Sequence, residues 1–175
     1  MKTIGTMRAL DETRGAVRVE DLYDTDIDDL WRACTTPDRL ARWIAQVSGD
    51  LDVGGTVRAV FTSTWTGPVR IDVCDAPHHL VLTMEPGGDD ETRLEAWLTA
   101  EGTRTRLVVE ERGLPVGQLH FYGAGWQVHL EDLGRSLALG GPAHDENGWS
   151  EQTPAPAWQA RWTELTPAYR DGGTP

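Results

Sequence analysis

The sequence predicts an α+β chain: a curved antiparallel sheet of seven strands wrapped around a long C-terminal helix, with two short helices after the first strand. Three observations point there. Apolar residues alternate with polar ones in short runs separated by Gly and Pro turns, which is the mark of strands facing a core on one side. From Leu119 to Leu137 the spacing changes to three and four, the mark of an amphipathic helix. The chain has 175 residues, 39% hydrophobic and 25% charged, which suits one globular domain with an appendage.

Residues 1–14 show no periodicity and are expected to be a loose N-terminal segment; a domain is expected over 15–139. Val17, Val19, Asp21 and Tyr23 alternate with Arg18, Glu20 and Leu22, a first strand. Thr25 is placed to cap a short helix whose apolar stripe is Ile27, Leu30, Trp31 and Cys34, with Asp26, Asp28 and Asp29 in its first turn. Thr36-Pro37-Asp38 restarts a helix, with Pro37 at its first position. Gly54-Gly55 predicts a hairpin between 49–53 and 57–63. Pro68–Cys74 places Val69, Ile71 and Val73 on one face. Leu80–Glu85, Thr92–Ala100 and Thr105–Glu111 complete the sheet. Pro115 is expected to open the long helix and Gly140-Gly141-Pro142 to end it. Residues 140–156 read as a linker. Trp158, Trp162 and Leu165 share one side of a short amphipathic tail helix over 157–170, which Pro167 is expected to stop.

Net charge is −12, from 16 basic and 28 acidic residues. That field repels phosphate backbones, and the arginines form no stripe, so nucleic acid is excluded as a partner. No apolar run reaches the roughly 18 residues of a membrane span, and the N-terminus carries no apolar signal core, which predicts a cytoplasmic protein without membrane contact. Cys34 and Cys74 have no metal-ligand or disulfide spacing, and His78-His79 in their turn lack a third ligand, so no metal and no cofactor is implied. Nucleophile-elbow and phosphate-loop motifs are missing.

Several motifs carry a resemblance. They are Asp28-Asp29-Leu30-Trp31-Arg32-Ala33, Thr36–Ile44, Val53-Gly54-Gly55-Thr56-Val57, Gly67-Pro68-Val69, Leu80–Thr83, Thr105-Arg106-Leu107 and Gly125–Leu133. With the order of elements, they resemble the START-like or SRPBCC helix-grip superfamily that includes the birch pollen allergen, in the branch related to the activator of the heat-shock-protein-90 ATPase. Met84 stands where members often carry an aromatic residue, and Asp26 where they often carry Pro. The resemblance implies a sheet gripping the long helix with a cavity between them, and binding of a small hydrophobic or aromatic molecule. It also leaves open a polyketide cyclase/aromatase-like enzyme and a chaperone-cofactor-like interaction module. The linker lets the tail helix reach back over its own domain, the expected arrangement, or across to a second copy in a homodimer.

Strand and helix phase select the side chains that could line such a cavity: Asp21, Tyr23, Phe61, Met84, Leu119, Tyr122, Trp126 and His129. No catalytic residue is assigned. Asp21 is the polar group on an inward face, where a carboxylate needs a partner. Glu111 shares the inward phase of Leu107 and Val109, but an antiparallel pairing of first and last strands would separate it from Asp21, and it reads equally as a solvated strand end. Gly123-Ala124-Gly125 inside the helix predicts a close approach to the sheet, or a bend.

Overall fold

The computed structural model, which describes residues 2–172, confirms an α+β chain with an antiparallel sheet and a long C-terminal helix. The elements are β1 (Gly5–Ala9), β2 (Arg14–Tyr23), α1 (Ile27–Thr35), α2 (Pro37–Leu40), β3 (Ala45–Gly49), β4 (Thr56–Phe61), β5 (Thr66–Asp75), β6 (His79–Met84), β7 (Thr92–Glu101), β8 (Arg104–Pro115), α3 (Leu119–Leu139) and α4 (Pro156–Gly172). The strands form one sheet of eight in the order β1-β2-β8-β7-β6-β5-β4-β3. β2 and β8 pair antiparallel with Asp21 opposite Leu107 and Val17 opposite Glu111, so the two acids lie at different levels of the sheet.

The eighth strand is β1, inside the segment expected to be loose. It pairs with β2, Met7 opposite Val17, and Arg8 reaches across to Glu110 with two contacts of 3.1 Å. An edge strand ordered by main-chain hydrogen bonds needs little apolar alternation, so its sequence carries no period. β3 also lies earlier than expected. The side chain of Asp50 accepts the N–H of Asp52 at 3.0 Å, a local turn that ends the strand before the glycine pair. In β5 the register slips between Ile71 and Val73. This bulge turns Val73 outward to 37% exposure and brings Cys74 to the inner face, as a one-residue slip must. Asp26, not Thr25, caps α1, accepting the N–H of Asp29 at 2.8 Å. Pro115 ends β8, and one turn of 3₁₀ helix over Val116–Gln118 precedes α3.

Helix α3 is covered on two sides. Leu119, Trp126, Leu130 and Leu133 belong to the core beneath the sheet. Ala124 and Val128 face a second core made with Trp149, Ala155, Trp158, Leu165 and Tyr169. The close approach that the glycines predict is therefore to α4 rather than to the sheet. A Cβ on Gly123 would lie 2.6 Å from the Tyr169 ring. The Tyr169 hydroxyl donates to Gln127 Oε1 at 2.6 Å, and Arg161 pairs with Glu131 at 2.9 Å. α4 also runs straight through Pro167. A proline inside a helix costs about 3 kcal/mol, and burial of Leu165 before it and Tyr169 after it offsets that cost. His144, bonded to Asp132 at 2.6 Å, and the Ala143 N–H to Arg42 O bond at 2.7 Å tie the connecting segment to the domain.

Gly123→Ala is expected to lower stability to urea by about 1–3 kcal/mol, although alanine is the better helix former. In a Tyr169→Ala background the same change should become neutral or stabilising. A neutral Gly123→Ala in the intact chain would show that α4 does not rest on this surface.

Candidate functional site

Along the sheet, α3 rests on β1 and β2, leaving the inner faces of β4–β7 to enclose space. An inner chamber of about 160 Å³ lies there. Alternating side chains form its walls: Val57, Ala59 and Phe61 of β4, Leu80, Leu82 and Met84 of β6, Leu94 and Ala96 of β7. Both cysteines reach it as well; burial pushes the Cys34 thiol up to about 12, so it stays protonated. A dry, aliphatic cavity of about 150 Å³ is large enough for a benzene ring. This chamber is of that size and mainly apolar, and it opens towards solvent beside Leu51 and Cys74, both exposed.

A second, outer chamber of about 720 Å³ opens beside it. Phe61, Met84 and Trp126 line both and so form the shared boundary, or neck, between them. The outer walls are Trp65 from the β4–β5 turn, Tyr122 and His129 from α3, Thr92 and Glu111 from the sheet, and Trp158 and Trp162 from α4. Trp158 and Trp162 stack at 5.9 Å, and the Trp162 N–H donates to Phe121 O at 2.9 Å.

Glu111 is buried at the neck. Its Oε2 accepts the Trp126 indole N–H at 2.7 Å, and its Oε1 accepts the Thr92 hydroxyl at 2.8 Å. Burial raises its pKa above the ordinary 4.5, and the two donors oppose that only partly. His129 sits among three rings, Phe61 and Trp126 at 5.6 Å and Trp158 at 5.5 Å. Burial, with a smaller contribution from the nearby charge of His144, pushes its pKa down to about 3, so the imidazole is neutral at any ordinary pH. Its Nδ1 has no hydrogen-bond partner among the described residues.

Of the eight sequence candidates, Phe61, Met84, Tyr122, Trp126 and His129 come together in the two chambers. Asp21, Tyr23 and Leu119 line neither. Asp21 accepts the N–H of Leu22 at 2.8 Å; the Tyr23 hydroxyl donates to Leu130 O at 2.8 Å; Leu119 fills the space over Gly15. All three lie where α3 meets the β1–β2 end of the sheet, and contact there leaves no hollow. Sequence reading missed Glu111 as a neck residue because it treated the strand as ending there; β8 continues to Pro115. It also read Trp158 and Trp162 as packing alone.

Residues 24–138 match the family described as Activator of Hsp90 ATPase homolog 1-like protein. The chain belongs to this family. With it comes the helix-grip fold of the SRPBCC superfamily. No curated protein matches. Among solved structures, the crystal structure of CalU16 from Micromonospora echinospora is 23% identical at a TM-score of 0.71, covering 97% of this chain and 96% of that one. Its solution structure is 24% identical at 0.74, covering 99% and 96%. DynU16, a protein in the dynemicin biosynthetic locus, is 25% identical at 0.69, over 75% of this chain and 50% of its own. The family match stops at residue 138, so α4 and its two tryptophans are an addition to the family domain. Among the described residues no group of three or more His, Cys, Asp or Glu is placed to hold a metal, and no helix is long and apolar enough to cross a membrane.

His129 should dominate the acid sensitivity of the interior. Its folded pKa of about 3 lies below the ordinary 6.5, so the unfolded chain binds a proton that the native state refuses, and stability falls as pH drops from 6.5 towards 3. Glu111, raised in the fold, works with the opposite sign. His129→Phe is expected to lose about 2–3 kcal/mol less stability than the parent between pH 7 and pH 4, measured by urea unfolding at each pH. Equal losses would place His129 in contact with water.

Proposed function

We propose that this protein binds a small hydrophobic or aromatic molecule between the sheet and the long helix and holds it without catalysis. The observation that carries this is the pair of chambers meeting at Phe61, Met84 and Trp126. The inner one offers an apolar surface to a ring and the outer one a few polar groups to orient it, which is the composition of a small-molecule site. A hollow interior favours this reading over an interaction module related to chaperone cofactors, which has no use for internal space. The likeness to DynU16, from a biosynthetic locus, supports a product or intermediate of small-molecule biosynthesis as the ligand.

Glu111 and His129 in one chamber favour a second reading, a cyclase-like enzyme that moves a proton. The binding reading is preferred on chemical grounds. An imidazole with a pKa near 3 is too weak a base for proton abstraction near neutrality.

The uncharged fluorophore N-phenyl-1-naphthylamine should brighten on the native protein. Ala96→Phe, which fills the inner chamber from β7, should weaken its binding by about tenfold or more while leaving the circular dichroism spectrum unchanged. Native protein that binds no apolar probe would overturn the reading.

A further inference from the structure

We propose that the outer chamber is an amine site: the ligand carries a protonated amino group that pairs with Glu111, while its apolar or aromatic body enters the inner chamber. This rests on the ligand-binding reading above and adds a charge to it.

Glu111 is 7% exposed, and both its oxygens accept from neutral donors alone. Among the described residues no cation is a cause acting on its ionisation. A buried carboxylate without a counter-charge is costly, and each of its oxygens keeps a second lone pair for a ligand. The other titratable groups of the chamber do not supply the missing charge. Arg14 of β2 keeps its charge, but it points its guanidinium at main-chain oxygens, those of Gly113 at 3.3 Å and Asp89 at 3.2 Å, and is not among the groups that act on Glu111. Tyr122 and His129 of α3 are uncharged near neutrality, and the connection between β6 and β7 adds two more acids, Glu85 and Asp90. Arg93 and Arg112, which flank Glu111 on β7 and β8, line a separate hollow with Arg70 and Asp72.

The rings point the same way. Trp65, Tyr122, Trp126, Trp158 and Trp162 surround this space, and the faces of such rings attract an ammonium group. With a net charge of −12, the protein draws cations and repels anions. The ligand class is therefore an arylalkylamine.

The test is calorimetric titration with three matched probes, 4-phenylbutylamine, 4-phenylbutanol and 4-phenylbutyrate. The amine is expected to bind about 10- to 100-fold tighter than the alcohol, as a charge-assisted hydrogen bond allows, with the carboxylate weakest. Glu111→Gln should bring the amine down to the alcohol's affinity. Gln can preserve the local bonds, its carbonyl accepting from Trp126 and its amide donating to the Thr92 hydroxyl. Should that variant misfold, the parent protein decides by pH. Acidification through the Glu111 ionisation should weaken the amine and leave the alcohol unchanged. Alcohol binding equal to or tighter than amine binding overturns the amine site and leaves the apolar cavity standing. Absence of binding by all three probes to folded protein overturns both.

Discussion

Tyr169 lies against the bare backbone of Gly123, where even a methyl group would come within 2.6 Å of its ring. That contact sets how closely α4 can approach α3. Through it the tail helix gains a buried surface that includes Leu165 and Trp158, enough to hold a helix with an internal proline in place. An isolated helix of this length would be marginal in water, so its order comes from the surface it meets. Once α4 is seated, Trp158 and Trp162 line the outer chamber. The appendage is thus both a structural brace and a wall of the site, and the aromatic cage around His129 is complete only because Trp158 arrives from it.

On its other side, α3 meets the sheet unevenly. It rests on β1 and β2 and stands away from β4–β7. Protein interiors are close-packed as a rule, so a hollow of about 160 Å³ lined by Ala59, Ala96 and their aliphatic neighbours marks a place where small side chains leave the gap unfilled. Trp126 connects the two regimes. Its ring lines both chambers, and its N–H bonds to Glu111 across the neck. The polar contact is thereby located at the boundary between an apolar pocket and an acidic vestibule, where a ligand with two unlike ends has a complement for each.

Much of this was legible in the residues. The alternation of Val57, Ala59 and Phe61, of Leu80, Leu82 and Met84, and of Leu94 and Ala96 put these side chains on the inward face, where they line the chamber, because the side-chain period of a strand is a local property of the backbone. The three-and-four spacing of α3 likewise named Tyr122, Trp126 and His129. Where a bulge intervened, at Ile71 to Val73, phase reading failed and Cys74 took the inward place. Phase also says nothing about depth. Asp21, Tyr23 and Leu119 have the inward phase, yet they lie where helix and sheet touch.

Periodicity therefore settled which face of each element turns inward, the α+β class and the single long helix, because these depend on neighbours within a few residues along the chain. Packing between distant segments settled the rest: β1 joining the edge of the sheet, α4 passing through Pro167, Glu111 buried mid-strand rather than solvated at an end, and the hollow lying under β4–β7. Each of these depends on free energy exchanged between surfaces that are far apart in sequence. No local pattern records that exchange, and it exists only once the sheet has curled and both helices have found their places on it.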